Sequence, residues 1–115
     1  MALSTYDIAT EQGSNYGSVV TYEDDNGNLV NLTGYTARMQ VRTYAGAAVP
    51  ALSLATSSGI TMGGVAGTVT ISIPATTLSA VRAGSYVYDL EIQSPSAVVT
   101  KLLSGKFTIE QEVTR

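Results

Sequence analysis

The stretch Tyr35-Thr36-Ala37-Arg38-Met39-Gln40-Val41-Arg42-Thr43 decides the fold class. Tyr35, Ala37, Met39 and Val41 fall on one side of an extended chain. Thr36, Arg38, Gln40 and Arg42 fall on the other. This period of two belongs to a strand with one wet face, because successive side chains of an extended backbone point in opposite directions. Residues 85–93 repeat it, with Tyr86, Tyr88, Leu90 and Ile92 set against Val87, Asp89, Glu91 and Gln93. Residues 68–73 do so again, with Val69, Ile71 and Ile73 inward.

Outward from these three segments, residues 6–9 and 17–23 read as earlier strands, and 52–55 and 60–62 as short middle ones. Residues 97–103 and 106–113 form a last strand or strand pair. Leu102-Leu103-Ser104-Gly105 breaks the alternation there, as a bulge does. Asp24-Asp25-Asn26-Gly27-Asn28 is a hairpin turn, and Asn-Gly is expected to place both central residues at positive φ. Residues 74–83 are the helical candidate. Leu78 and Val81 are three apart, Thr76 or Thr77 is the expected cap, and Gly84 is the stop. Roughly seven to nine short strands with regular turn signals predict an all-β fold. The expectation is an immunoglobulin-like two-sheet antiparallel β-sandwich with one short helical turn, a single domain over 1–115. Tyr86 or Tyr88 sits where such a fold places its tyrosine corner.

The chain has neither Cys nor His, so disulfides, thiolate chemistry and the Ser-His-Asp arrangement are excluded. Six Lys and Arg stand against nine Asp and Glu, and the basic residues are scattered rather than gathered in a stripe. Nucleic acid is therefore not an expected partner. No apolar run approaches the ~20 residues of a membrane-spanning helix, and the start has neither a basic region nor an apolar one, so neither a membrane nor secretion is expected.

Asp24, Asn26 and Asn28 imitate the start of a calcium loop, but the sixth and twelfth positions hold Leu29 and Tyr35 where Gly and Glu are needed. The hairpin turn accounts for these residues. Asp89 and Glu91 are a close carboxylate pair, yet they lie on one outer face with no cleft between them, which does not suit glycoside hydrolysis. No catalytic residue, metal ligand or cofactor is expected. Arg38 and Arg42 share a strand face, as do Asp89 and Glu91, and two readings are open. They are cross-strand ion pairs on a solvated face, or they dock a partner of complementary charge. Asn31-Leu32-Thr33 has the form of a glycosylation sequon, read here as a turn.

Several segments taken in order resemble a known family: Tyr6-Asp7-Ile8 with Glu11-Gln12-Gly13, then Asp25-Asn26-Gly27, then residues 30–42, 83–92 and 103–109. The set is similar to small virion proteins of tailed bacteriophages, in particular the N-terminal immunoglobulin-like domain of baseplate upper proteins. The most specific parts are Leu32-Thr33-Gly34-Tyr35-Thr36-Ala37-Arg38-Met39-Gln40-Val41-Arg42 and Tyr86-Val87-Tyr88-Asp89-Leu90-Glu91-Ile92. The resemblance implies a non-enzymatic structural protein of the virion, made in the host cytoplasm. Its place is in the tail or baseplate, or as a fibre-attachment adaptor. It would be present in several symmetric copies and bind other virion proteins. In the longer relatives a coiled segment and a distal module follow, so a host-recognition role is not carried over. A capsid decoration or cement protein is the alternative. A carbohydrate-binding module comes third, because the chain has no Trp and its Tyr residues fall mostly on expected core faces.

The two ends of the chain are expected to offer unprotected edges. Thr5, Tyr6, Asp7 and Ile8 carry one charge and no Pro. The tail alternates almost to its last residue, through Ile109, Gln111 and Val113. These residues, with Arg38, Arg42, Asp89 and Glu91, are the candidate interface. The competing expectation is that the first and last strands pair with each other.

Overall fold

Alternating segments become strands here because each has an apolar side to bury and a neighbour on which to bury it. The computed structural model describes residues 4–24 and 26–113. Nine strands follow in chain order: β1 (Ser4–Thr5), β2 (Ile8–Glu11), β3 (Tyr16–Thr21), β4 (Thr36–Arg42), β5 (Leu52–Thr56), β6 (Gly59–Met62), β7 (Thr68–Ile73), β8 (Gly84–Gln93) and β9 (Val99–Glu110). A helix, α1 (Ala75–Ser79), bridges β7 to β8, and a 3-10 turn at Gly64–Ala66 precedes β7. No helix is long and apolar enough to cross a membrane among the described residues.

The all-β expectation holds, with 54% of residues in strands and 7% in helix. Two separate sheets are not what is found. Hydrogen bonding runs without a break through β1-β9-β8-β4-β5-β6-β7-β3, and β2 also pairs with β9. The sheet curls until it is nearly a barrel. The link that makes it continuous is short: β5 and β6 pair in parallel through only Ala55↔Gly59 and Thr56↔Ile60. Ser57, at φ 69, turns the chain between them.

Inside the curl lie Met39, Val41, Val69, Ile71, Ile73, Leu90, Ile92 and Phe107, each almost fully shielded from solvent. All but Phe107, which β9 supplies, belong to the inward sets of residues 35–43, 68–73 and 85–93. Leu32, Leu78 and Val81 cap the core from loops and α1. Phe107 stands near its centre, with the rings of Tyr88 and Tyr16 set edge-on at 6.1 and 6.4 Å. Edge-on packing brings positive ring edges to negative ring faces.

The end of the chain forms a single bulged strand, one of the two forms expected, while the expectations for the Asp24–Asn28 turn and the α1 cap need correction. β9 is one strand of twelve residues. Its register against β8 shifts between Leu90↔Leu103 and Glu91↔Lys101, so Leu102 is the extra residue of a bulge. In the Asn26-Gly27 pair Gly27 has a positive φ, 83°, and Asn26 does not. Asp24 holds the turn instead, its Oδ1 accepting from the amides of Asn26 and Asn28 at 2.9 and 3.0 Å. The α1 cap is neither Thr76 nor Thr77. Pro74 is the N-cap residue, and the Ala75 amide donates to Asn15 Oδ1 at 2.7 Å.

Candidate interaction surface

The outer face of β4, β8 and β9 follows from register. Antiparallel pairing sets Arg38 opposite Glu91, and Glu91 opposite Lys101. Arg38 Nε donates to Glu91 Oε1 at 2.7 Å, and Lys101 Nζ lies 3.1 Å from Asp89 Oδ2. The expected cross-strand pairing is therefore present at Arg38, Asp89 and Glu91. Arg42 does not join it, because Val87 stands opposite. Its Nη1 donates to the Ala47 carbonyl at 2.6 Å and its Nη2 to Gln40 Oε1 at 2.8 Å, which ties the following loop to the sheet. Exposed pairs of this kind contribute about 0.2–1 kcal/mol each.

A different surface lies where the curled sheet fails to close. β1 and β2 line one edge, in parallel with β9, and β3 ends the other. Between them runs a groove of about 380 Å³ lined by Thr5, Tyr6, Ile8, Val19, Val20 and Leu103. Tyr6 and Val19 are 52% and 62% exposed, so apolar surface is open to solvent on both banks. The contact of Tyr16 with Phe107 carries the β3 side onto β9 and closes one end.

The β1/β2 bank is fastened at its centre. Tyr6 and Asp7 interrupt the strand opposite Gly105, where a Cβ would collide with the Tyr6 carbonyl. The Tyr6 amide donates to the Ser104 carbonyl at 2.9 Å, and Asp7 Oδ1 accepts from the Lys106 amide at 3.0 Å. The Tyr88 hydroxyl donates to the Tyr6 carbonyl from below. Burial pushes the Tyr88 phenol far above its ordinary range, with the nearby Tyr16, Tyr6 and Asp7 adding to the effect. Burial also raises Tyr16.

The structure thus divides the residues expected at an interface. Thr5 and Tyr6 stand exposed at the groove, Asp7 is exposed beside it, and Gln111 and Val113 are exposed beyond β9. Ile8 and Ile109 are 4% and 1% exposed, core residues, of which Ile8 also forms part of the groove floor. They are buried because the first strand and the last pair with each other, Ile8 with Phe107 and Thr10 with Ile109. The tail is not a free edge up to Glu110. Past it, Gln12 clasps the chain: its Nε2 donates to the Val81 carbonyl at 2.8 Å and its Oε1 accepts from the Glu112 amide at 3.1 Å.

Sequence reasoning missed two things. The polar loop before β3 holds Gln12 and Asn15, whose side chains each reach backbone far along the chain, with no periodic signal to mark them. β3 was not among the expected edges, although the run from Gln12 to Tyr22 has no charged residue. Asn31, the sequon residue, accepts from the Thr33 amide and hydroxyl at 3.0 and 2.6 Å, a local turn of the kind expected. At Asp24 the amides of Asn28 and Asn26 hold the carboxyl below its usual range, both bonding the one oxygen Oδ1. Compared with known proteins, the chain matches no family model and no curated protein.

Proposed function

We propose that this chain is a non-enzymatic, immunoglobulin-like domain that serves as a structural component of a tailed-phage particle, in the tail or baseplate, where it binds neighbouring virion proteins. The observation that carries the binding role is the unclosed seam. Two sheet edges and exposed Tyr6 and Val19 stand where a closed barrel would have neither. Edges of this kind associate with other strands unless charge, Pro or a cover prevents it.

The immunoglobulin-like reading draws support from strand order. Without the two-residue bridge between β5 and β6, the pairing divides into β2-β9-β8-β4-β5 and β3-β7-β6. A first strand lies parallel to the last. The Tyr86 hydroxyl donates to the carbonyl of Arg82, four residues upstream, as a tyrosine corner does. The structural role draws support from how the polar side chains are used. Arg38, Asp89, Glu91 and Lys101 pair across strands, and Gln12, Asn15, Asp24 and Asn31 hold backbone.

The test is to purify particles of the phage that encodes the chain, identify their proteins by mass spectrometry and locate this one by reconstruction. Density at the tail or baseplate is expected. Density on the head would replace the proposal with capsid decoration, and absence from particles would overturn the virion role.

A further inference from the structure

We infer that the open edge of β3 pairs antiparallel with the β3 edge of a second copy of this chain, across a two-fold axis centred on Val19. This rests on the reading of the seam as a contact surface and names its occupant.

The backbone sets the direction. The Tyr22 amide donates to the Gly67 carbonyl at 2.8 Å, and β3 continues the antiparallel register with Thr21↔Thr68, Val20↔Val69 and Ser18↔Ile71. In an antiparallel ladder the N–H and C=O groups of alternate residues point the same way. Those of Val20 and Ser18 therefore point at β7. Those of Gly17, Val19 and Thr21 point away from β7 at the open edge, and all three residues are exposed. This row contains no Pro and no charge. Water satisfies such a row while it is exposed, and an extended backbone is the protein partner that matches its spacing of donors and acceptors.

Charge selects a second β3 as that backbone. Each copy carries a net charge of −3, so association is favoured where acidic groups stay apart. The other free bank carries Asp7 and Glu11, whereas the run from Gln12 to Tyr22 carries nothing. A two-fold centred on Val19 sets Val19 against Val19 and Gly17 against Thr21. It sets Glu23 against Asn15 and Asp24 against Ser14, so each carboxylate meets a neutral polar residue. Pairing is also closed: two identical edges satisfy each other and leave no β3 edge free. Pairing β3 with the β1/β2 bank of another copy would be head-to-tail and open-ended.

The experiment uses the full chain. Sedimentation equilibrium is expected to give a dimer. The chain has no Cys, so a V19C variant carries a single thiol at the axis and is expected to form a covalent dimer under mild oxidation. V49C, in the loop after β4 and 76% exposed, is expected to stay uncross-linked. V19P removes an amide that points away from β7, so the strand spectrum is expected to persist while the dimer is lost. V19K keeps the amide and places like charges opposite each other, and is expected to weaken the dimer by about tenfold or more. A chain that is monomeric at every concentration, or a dimer undiminished in V19K, overturns the pairing. Particle incorporation separates this inference from the virion role. A monomer found in particles overturns only the pairing, and a dimer absent from particles overturns only the role.

Discussion

β8 and β3 carry the same kind of sequence, alternating apolar and polar residues, and are held in opposite ways. β8 has β4 on one side and β9 on the other, and the side chains on its inner face are shielded at Tyr88, Leu90 and Ile92. Among the described residues β3 has β7 alone, and its inner residues Tyr16, Ser18 and Val20 stay half-exposed. Alternation fixes which side of a strand is wet. It does not fix whether the strand has one neighbour or two, because that depends on pairing with residues far along the chain.

The largest effect that tests this contrast is expected at the closed side. Phe107→Ala removes the ring on which Tyr88 and Tyr16 converge, and urea unfolding is expected to show a loss of about 3–5 kcal/mol. A loss under about 1 kcal/mol would mean that the β8–β9 side is not the better-packed one. Gly105→Ala sharpens the contrast at the boundary. The new Cβ drives into the Tyr6 carbonyl, and a loss of about 1–3 kcal/mol is expected. Hydrogen exchange is expected to speed up along residues 4–11 more than along β8. Uniform acceleration would show that the β1/β2 bank is not a separately fastened element.

Tyr88→Phe removes the hydroxyl bond to Tyr6 and is expected to cost about 0.5–1.5 kcal/mol at neutral pH. Its pH dependence has a definite sign. The folded-state pKa of Tyr88 is raised, so the unfolded chain loses this proton first as pH rises above about 10. The phenol's contribution is whole below that pH and is lost above it. The Phe variant is therefore expected to have a flatter alkaline limb than the parent, and an identical limb would remove Tyr88 from the account. The smallest effect is expected on the outer face. Arg38→Ala breaks the pair with Glu91 and is expected to cost about 0.2–1 kcal/mol, less at high salt. A loss as large as that of Phe107→Ala would mean the two faces of β4 are reversed.

Most strands were legible because each carries its own alternation. Residues 68–73 match β7, 35–43 exceeds β4 by one residue at each end, and 85–93 falls one residue short of β8 at its start. The reading fell short where the deciding contact is remote. A strand over 6–9 looked continuous, yet Tyr6 and Asp7 break it because of Gly105, about a hundred positions away in the chain. The α1 cap belongs to Asn15 and not to a neighbouring Thr, again through a distant contact. Of the candidate interface, Arg38, Asp89 and Glu91 were paired as one of the two expectations had it, because sheet neighbours follow from alternation and fold class. Ile8 and Ile109 were misjudged. Pairing between the two ends buries both, as the competing expectation for the first and last strands had it.

The parallel pairing of β2 with β9 also bears on the order of events as the chain is made. Translation proceeds at about 5–20 residues per second and presents β2 many seconds before Phe107 and Ile109 exist to receive it. β3 likewise emerges well before β7. Contacts so distant in sequence make folding slow, because the connecting chain must be closed before any contact rewards it. During that interval Ile8 and the β3 edge are uncovered together on a nascent chain that has no means to shield them. Crowded synthesis of many copies would therefore favour association between chains before closure within one. Aggregation during expression is expected to fall with slower translation or lower temperature, even though the finished domain buries Ile8.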